Sequence, residues 1–371
     1  MKDLDKITFR HRKALWFWPL ILSCFGILTI ASITSKGGLD GQINLYSTSG
    51  RQLFALILGF MLMLTVSMIP LSIMRRYSSI LWITAILLTV ATIIPGIGVR
   101  GGGARRWLPI GLFMLQPLEI LSLFVTIHLS KCLADSEGAP LEVYLRITIV
   151  IILASVWALA LQPNFGGMVL IVILCMSIHV ENRGWKYPLF SVPVFITIAY
   201  PMIVFFGYRM RRISAFFDPW SDPLNSGFQA IQALIAFANG GATGVGIGKG
   251  LQKLNYLPAA HTDFIFPAIG EEFGLIGTLG ILSVFVSWFW VIWELYRKQN
   301  DAFLSALTWG IAASIALPFF INLGGVMNLM PLTGIPLPFI SYGGSSLVFT
   351  WMKIGILVRI AKESSEVRVG T

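Results

Sequence analysis

The sequence has few of the residues from which soluble enzymes build charged surfaces and covalent cross-links. Only 12% of its 371 residues are charged, and its three cysteines are Cys24, Cys132 and Cys175. These cysteines lie in or beside apolar runs, without pairing or metal-ligand spacing, so disulfide and zinc sites are unsupported. The chain also lacks repeats of about 20–50 residues and low-complexity tracts, which argues against repeat arrays and long disordered segments.

Long apolar runs dominate the chain instead. Hydrophobic residues make up 56% of the sequence, and a membrane-spanning helix needs about 20 predominantly apolar residues. The pattern predicts an all-α polytopic integral membrane protein with about ten transmembrane helices, and it disfavours a β-barrel. The expected spans lie near residues 15–33, 51–69, 78–96, 115–133, 147–162, 166–180, 187–207, 264–293, 302–326 and 343–361.

The basic residues between these spans predict their orientation. Basic pairs occur at 75–76, between spans two and three, and at 297–298, between spans eight and nine, and Arg183 with Lys186 separates spans six and seven. Cytoplasmic loops carry an excess of Lys and Arg. Both termini are therefore expected in the cytoplasm. The odd-numbered loops would then lie on the outer face, including the long one between spans seven and eight.

Two of these outer loops, 99–107 and 208–262, carry arginines against that bias. Arginine's planar guanidinium matches phosphate oxygens, and the glycines at 101–103 allow close backbone approach. The cluster therefore favours an anionic ligand at the membrane edge, with anchoring to lipid headgroups as the alternative. Its members are Arg100, Arg105, Arg106, Arg209, Arg211 and Arg212.

The loop 208–262 is also expected to contain an amphipathic helix at the outer surface, ending at Gly240 or Gly241. The glycine-rich segment GVGIGKG follows, without the preceding strand and α/β context that a nucleotide-binding loop requires. A P-loop or Rossmann site is therefore not expected. The helix would place on one face Phe228, Ile231, Leu234, Ile235 and Ala238.

Ionisable residues at membrane depth are costly and usually kept for function. Asp263 is the best candidate for a general base, because a carboxylate near cations at the start of a helix favours its ionised form. The alternative is that Asp263 or Thr262 caps span eight by accepting backbone N–H bonds. The other ionisable residues at this depth are Glu119, Glu271, Glu272 and Lys353.

Three further features border Asp263. Glu271 follows it by about two helical turns and could share its face, whereas Glu271 and Glu272 could instead pair with outer arginines. His261 either orients the base or forms hydrogen bonds with the backbone of the loop. A lone histidine without a partner at a suitable spacing favours the structural role. The segment GIPLPFISYGGSS, residues 334–346, is irregular backbone at membrane depth, which is tolerated where it lines a cavity. It is interpreted as a re-entrant wall of the site, with a plain loop-to-helix junction as the alternative.

Four motifs resemble the SEDS family (shape, elongation, division and sporulation) of polytopic peptidoglycan glycosyltransferases. They are HTDFIFPAIGEEFGLIG, GIPLPFISYGGSS, ARRWLPIG with QPLE, and RMRRISAFFDPWSDPLNSGFQ. The resemblance covers nearly the whole chain, so residues 1–371 are expected to form a single transmembrane domain of this family. The motifs YRMRR, QKLNYLP and AHTDFIF are more similar to the cell-division branch, the FtsW type, than to the cell-elongation branch, the RodA type.

The resemblance implies a reaction and a location. Lipid II, an undecaprenyl-pyrophosphate-linked disaccharide pentapeptide, would be polymerised into glycan strands at the outer face of the bacterial inner membrane, at the division septum. The implied partners are lipid II, the nascent glycan strand, a class B penicillin-binding protein, other division proteins and membrane lipids, with no nucleic acid. No cofactor is certain. A divalent cation that bridges Asp263 and pyrophosphate is compatible with the residues, although no dedicated ligand cluster is visible.

The resemblance also assigns residues. The essential aspartate of the family corresponds to Asp263, the glutamate of its QPxE motif to Glu119, and its arginine-tryptophan pair to Arg106 and Trp107. With the residues considered above, those expected to bind substrate are Arg100, Arg105, Arg106, Trp107, Glu119, Arg211, Arg212, His261, Thr262, Glu271, Glu272, Ser341, Gly343, Gly344 and Ser345.

The chain departs from the family pattern at two positions. Family members usually have Asp where this chain has Asn164, and many have Lys where it has Ser122. The joint loss of a negative and a positive group suggests that the two form a charge pair in relatives, because losing one alone would strand a buried charge. Lys353 either replaces the missing cation or extends towards the membrane surface.

Two other classes of function compete with the enzyme. A transporter could move the lipid-linked precursor across the bilayer, but transporters often show inverted repeats and midplane charged sites. The two halves of this chain show no evident symmetry, and most ionisable groups crowd its expected outer edge. The third class is a scaffold that holds division partners with little catalysis, and such a protein would not require the Asp263 carboxylate.

Overall fold

The computed structural model describes residues 2–34, 47–101, 104–111, 113–184, 207–251, 257 and 259–369. Nine helices within these ranges are long and apolar enough to cross a membrane, which confirms the expected class of all-α membrane protein. They coincide with nine of the ten expected spans. The other one, 187–207, lies outside the described residues except for its last residue.

Eleven α-helices and one short 3-10 helix, Pro219–Ser221, make up the helical part of the described chain. The membrane-length helices are α1 to α6 and α9 to α11, and the two shorter ones, α7 and α8, lie in the loop 208–262. The bounds are α1 Lys2–Thr34, α2 Thr48–Met68, α3 Leu71–Ala91, α4 Pro117–Asp135, α5 Leu141–Ala160, α6 Phe165–Arg183, α7 Gly207–Phe217, α8 Phe228–Gly240, α9 Ile265–Tyr296, α10 Ala302–Val326 and α11 Gly344–Val369.

Local sequence signals explain where several helices begin. The Ser47 hydroxyl accepts a bond from the Gly50 backbone N–H at 3.1 Å and caps α2. Pro117 opens α4 at a position where its missing N–H costs nothing. The Asp301 carboxylate accepts from the Leu304 backbone N–H at 2.9 Å and caps α10.

Helix α4 lies at the centre of the bundle. It packs against α3, α5, α6, α10 and α11. Of the residues in its most apolar 18-residue stretch, 72% are buried, against 22% for the corresponding stretch of α3. A helix that is apolar on all sides belongs in the interior. This central position carries Glu119, in the first turn of α4, into the interior of the bundle.

A small antiparallel sheet forms in the first arginine-rich loop, between α3 and α4. Its strands are β1 Val99–Gly101, β2 Ala104–Ile110 and β3 Phe113–Leu115, in the order β1-β2-β3. Only a loop was predicted for this region, because strands of three to seven residues are too short to show a clear periodic pattern. The sheet holds Arg105, Arg106 and Trp107 on one strand.

Helix α9 is broken at Gly274, whose φ of 66° and ψ of −165° are not helical. Glycine tolerates this left-handed backbone, which a side chain would strain. The segment 241–246 satisfies the interrupted ladder: Leu275 N–H donates to Gly241 O at 2.9 Å, and Gly246 N–H donates to Glu272 O at 3.1 Å. A break inside an apolar helix is tolerated because neighbouring backbone bonds these groups.

The expected helix in loop 208–262 is present as α8, and it ends as predicted, with Gly241 at its C-cap in a left-handed conformation, φ 52°. Of the predicted apolar face, Ile231 is buried in the protein, and Leu234, Ile235 and Ala238 are exposed. Small residues instead permit close packing on α9: a β-carbon at Gly240 would lie 1.9 Å from the Gly270 carbonyl oxygen. The buried residues of α8 are Ala230, Ile231, Ala233, Ala236 and Gly240.

Candidate active site

A polar cavity of about 310 Å³ opens near the start of α4 and α9. Strand β2, helices α4, α6, α10 and α11, the loop before α9 and the irregular segment 333–343 all contribute to its lining. Six of the predicted site residues line it: Arg106, Trp107, Glu119, Thr262, Asp263 and Gly343. Gly334, Tyr342 and Ser346 also line it, and they belong to the segment 334–346 that was predicted as a wall of the site. The lining residues that were not predicted as part of the site include Gln116, Ser122, Asn164 and Lys353.

Asp263 lies two residues before the first residue of α9. The Thr262 hydroxyl lies 2.7 Å from Asp263 Oδ1 and donates to it. The N-cap residue of α9 is Phe264, and no side chain bonds the first turn of that helix. The structure therefore does not show the helix-capping role that the sequence left open for Asp263 and Thr262. The carboxylate is half-buried and faces the cavity.

The segment 331–343 has neither helix nor strand and forms one wall of the cavity. Asn322, from α10, donates through its side-chain amide to Asp263 O and to Ile335 O, both at 2.8 Å. The Ser341 hydroxyl donates to Thr262 O at 2.6 Å. These bonds join the wall to the loop that carries Asp263. The irregular backbone is thus satisfied internally, as expected for a segment lining a cavity in a membrane protein.

Gln52 on α2 holds the far end of this wall. Its side chain donates to Ser341 O at 3.0 Å and accepts from Gly343 N–H at 3.1 Å. Gln52 is buried, and it was not predicted as part of the site. A lone amide inside an apolar run was the available signal, as it was for Asn322.

Gly344 and Ser345, the last two of the predicted substrate-binding residues, lie at the beginning of α11. The Ser345 hydroxyl accepts from Gln116 N–H at 3.0 Å, just before α4. Gly344 is the first residue of α11. Ser345 therefore supports the site by joining two helix starts, and it does not itself line the cavity.

Arg106 points towards the cavity from β2. Its Nη2 donates to Pro163 O at 2.8 Å, and its Nε donates to Gln162 O at 3.4 Å. The guanidinium is thereby fixed against the turn between α5 and α6. Its neighbour Trp107 lines the same cavity, so the arginine-tryptophan pair lies where the resemblance implies a substrate site.

The other arginines are placed differently. Arg105 Nη1 donates to Ile93 O at 3.3 Å, and Arg100 is exposed on β1; neither lines the cavity. Arg212, on α7, donates to Leu332 O at 2.9 Å and lies close to Gly334. The side chains of Arg209 and Arg211 lie outside the described residues.

The two expected departures from the family pattern and the unusual lysine of α11 meet in the same cavity. Ser122, Asn164 and Lys353 all line it. Lys353 is only 2% exposed, so its side chain does not reach the membrane surface. It interacts electrostatically with Glu119, and no direct ion pair joins the two within the described part of the chain.

Asn164 caps α6 with its side-chain oxygen, which accepts from Gly167 N–H at 3.2 Å. This bond orients the amide group, and its nitrogen, Nδ2, is buried without a hydrogen-bond partner among the described residues. A β-carbon at Gly167 would approach Nδ2 to 2.9 Å. The absence of a side chain at Gly167 therefore leaves room for this amide.

Glu271 and Glu272 are buried on α9 but do not line the cavity. Glu272 accepts from the Ser32 hydroxyl at 2.9 Å and from Gly248 N–H at 3.1 Å. Glu271 Oε1 accepts from the Asn239 amide at 3.3 Å. These contacts join α9 to α1, to α8 and to the loop after α8, and they indicate a structural contribution.

His261 is half-buried beside the site. Burial lowers its pKa, and the negative charge of Asp263 partly opposes this. Its ring lies 5.8 Å from that of Tyr342, and its carbonyl accepts from Tyr342 N–H at 2.9 Å. The imidazole is therefore favoured in its neutral form, and the backbone of His261 helps to hold the wall.

A divalent cation at this site stays a prediction. The carboxylates that line the cavity are those of Glu119 and Asp263. Within the described ranges, no three His, Cys, Asp or Glu residues gather as a potential metal site. Any cation here would need further ligands from substrate or water, which suits Mg²⁺ coordination.

The fold and the cavity define the class: a polytopic helical membrane protein with a charged cavity at one end of its bundle. The family model FtsW/RodA/SpoVE, described as "cell cycle protein", matches residues 12–366. The chain belongs to this family.

Several relatives share most of their length with the chain. A protein of Halorhodospira halophila is 35% identical over 352 residues, which cover 92% of this chain and 88% of that protein. A protein of Saccharophagus degradans is 36% identical over 358 residues, which cover 94% and 92%. Both are named probable peptidoglycan glycosyltransferase FtsW.

Two solved structures have the same fold. One comes from work on a peptidoglycan synthase complex that coordinates polymerization and crosslinking; it matches with a TM-score of 0.79 at 24% identity and covers 94% of this chain and 97% of that chain. The other is the rod shape determining protein RodA of Thermus thermophilus, with a TM-score of 0.70 at 22% identity, covering 95% and 96%.

Proposed function

We propose that the chain is a peptidoglycan glycosyltransferase that polymerises lipid II at the outer face of the bacterial membrane during cell division. The observation that carries this proposal is the Asp263 carboxylate, which faces the cavity, is bonded by Thr262 and does not cap its helix. The relatives at 35% and 36% identity support the same reaction by their names.

In the proposed reaction, Asp263 takes the proton from a sugar hydroxyl of the acceptor. The hydroxyl oxygen forms a bond to the anomeric carbon of the growing strand, and the bond from that carbon to the pyrophosphate breaks. The pyrophosphate leaves with the bonding electron pair. General-base catalysis by a positioned carboxylate typically contributes about 10²–10⁴-fold to the rate.

The cations near Asp263 match the charge that develops on the leaving group. Arg106 lines the cavity, and Arg212 lies beside Gly334, which also borders Asp263. Backbone carbonyls hold both guanidinium groups in place. Fixed cations stabilise a developing phosphate charge without the cost of reorganising at the moment of reaction.

The division role is supported by the FtsW name of the relatives, and a RodA-type elongation role has no comparable support. We accordingly place the protein at the division septum. The neighbour from a peptidoglycan synthase complex that coordinates polymerization and crosslinking supports a class B penicillin-binding protein as the partner. Such a transpeptidase would cross-link the strands that this chain makes.

The test is polymerisation of fluorescent lipid II by the purified protein, alone and with its candidate transpeptidase. We expect glycan chains from wild type and none from Asp263→Ala. Asp301→Asn is the matched control, because asparagine is an equally good N-cap for α10. Absence of product from wild type, even with the bound partner, would contradict the enzyme and favour a division scaffold.

A further inference from the structure

Several polar side chains that line the cavity, the Gln116 amide among them, make no side-chain hydrogen bond among the described residues. Three of them carry a charge or a fully buried nitrogen: the Glu119 carboxylate, the Lys353 ammonium and Asn164 Nδ2. Lys353 is 2% exposed and Asn164 is 6% exposed. Burying such groups without partners is costly. Because all three line one cavity, a single ligand group bound there could supply their missing hydrogen bonds.

The neighbouring polar groups do not supply these bonds. The Ser122 hydroxyl donates to the backbone carbonyl of Glu119 at 2.9 Å. The Asn164 side-chain oxygen is already occupied by Gly167 N–H. Among these three side chains, one offers an acceptor group, the carboxylate, and two offer donor groups, the ammonium and the amide nitrogen.

The charges of this set indicate the chemistry of its ligand. Glu119 and Lys353 have opposite charges, so the set is neutral overall. A phosphate would be favoured by Lys353 and opposed by Glu119. A neutral group that has both O–H or N–H donors and oxygen acceptors can bond all three side chains, and the hydroxyl and acetamido groups of an amino sugar have this property.

The position of the set agrees with such a ligand. Glu119 lies in the first turn of α4 and Asn164 at the N-cap of α6. Lys353 lies nine residues into α11, about 13 Å from its start, and its long side chain ends in the same cavity as Asp263. Arg106 bonds the carbonyl of Pro163, the residue before Asn164, and Arg212 bonds Leu332 O. The set therefore adjoins Arg106 and differs from the arginines in having no net charge.

We propose that Glu119, Lys353 and Asn164 form a sugar subsite that holds an N-acetylhexosamine of the substrate next to Asp263. Glu119 accepts a bond from a sugar hydroxyl or amide N–H, and Lys353 and Asn164 donate to its oxygens. The inference rests on the proposed function, since it presumes a lipid-linked sugar as substrate. It assigns sugar recognition to residues separate from those that face the pyrophosphate.

The experiment compares two probes on the full chain in nanodiscs. One is farnesyl diphosphate, and the other is farnesyl diphosphate linked to an N-acetylhexosamine. We expect wild type to bind the sugar-bearing probe at least about tenfold more tightly, since bonds to charged groups have effects of this size. Lys353→Met should reduce this preference to about twofold and change the affinity for bare farnesyl diphosphate less than about twofold.

Two further variants control the measurement. Asn164→Ser keeps an oxygen that can accept from Gly167 N–H and removes the Nδ2 donor without adding a charge, so it should also weaken the sugar preference. It provides an independent test if Lys353→Met does not fold, which melting temperatures would reveal. Lys249→Met removes a lysine from an exposed loop outside the cavity, and it should bind both probes as wild type does.

The outcomes separate the alternatives. An equal loss of affinity for both probes would overturn the sugar subsite in favour of a phosphate site. An unchanged sugar preference in both cavity variants would also overturn it, while the proposed function stands. Failure of wild type to bind either probe would contradict the proposed function itself, and this inference with it.

Discussion

Gly334 lies against the two charged groups that border the proposed reaction. A β-carbon at this position would lie 3.6 Å from Asp263 Oδ2 and 4.0 Å from Arg212 Nη1. Its φ of 73° is also in the left-handed region that favours glycine. Glycine at position 334 therefore permits the left-handed backbone and leaves the space beside the Asp263 carboxylate free of a side chain.

Gly334→Ala should lower activity by about tenfold or more, because the methyl group would contact Asp263 Oδ2 and occupy space that the acceptor needs beside the base. Gly96→Ala is the matched control. Gly96 has a φ of 90°, and a β-carbon there would meet no atom of the described residues within 4 Å. Both variants should lose about 1–2 kcal/mol of stability through backbone strain, and only the first should lose activity in the lipid II assay. Equal activity losses would contradict this account.

Gln52 should be essential for the wall of the cavity. Gln52→Leu would leave Ser341 O and Gly343 N–H without the bonds that the amide makes. We expect a loss of about 2–4 kcal/mol in the free energy of unfolding, and lower activity at temperatures where the variant is still folded. Detergent unfolding and the polymerisation assay measure the two effects.

Thr65→Ala provides the control for Gln52 in the same helix. The Thr65 hydroxyl is exposed and bonds only its own helix, at Met61 O. This variant should change neither stability nor activity appreciably. If Thr65→Ala is as destabilised as Gln52→Leu, the bonds of Gln52 to Ser341 and Gly343 are not the cause of the lost stability.

The sequence predicted the parts of this fold that depend on local pattern. Apolar runs predicted the described membrane helices, and the glycines predicted the end of α8. The contacts of Gln52 and Asn322 were not predictable, because each bonds backbone from segments far away in the chain. The buried residues of α8 were not predictable from its pattern either, because close approach to Gly270 favours its small residues over its large ones.

The candidate site was predictable where the motifs carried it, as for Arg106, Trp107, Glu119 and Asp263. Spacing along a helix was a weaker guide. Glu271 lies two turns from Asp263, but the break at Gly274 and the loop after α8 surround this part of α9 with backbone partners. Lys353 and Asn164 were noted as unusual residues, and only the packing of α11 and of α6 against α4 brings them to one cavity.

Glu272 should contribute to stability through Ser32 and Gly248. Glu272→Ala would leave the Ser32 hydroxyl and the Gly248 N–H without this acceptor, and we expect a loss of about 1–3 kcal/mol in the free energy of unfolding. A double-mutant cycle with Ser32→Ala should be less than additive, because the two residues share one interaction. Strict additivity in detergent unfolding would contradict the contact.

His261 should make the protein less stable in mild acid. Burial lowers its pKa in the folded state below the ordinary value of about 6.5, so the unfolded chain binds a proton before the folded chain does. Stability is therefore fully present above about 6.5 and is lost as the pH falls from there towards the folded pKa. Below that folded pKa, this contribution should change no further.

The variant His261→Gln removes this titration and keeps a polar side chain of similar reach. Its melting temperature should fall less than that of wild type when nanodisc samples are taken from about pH 7.5 to about pH 5.5, values chosen to bracket the ordinary pKa. A parallel fall in both proteins would assign the acid sensitivity to other groups. A steeper fall in the variant would show instead that attraction to Asp263 outweighs burial, and that the charged imidazolium supports the loop before α9.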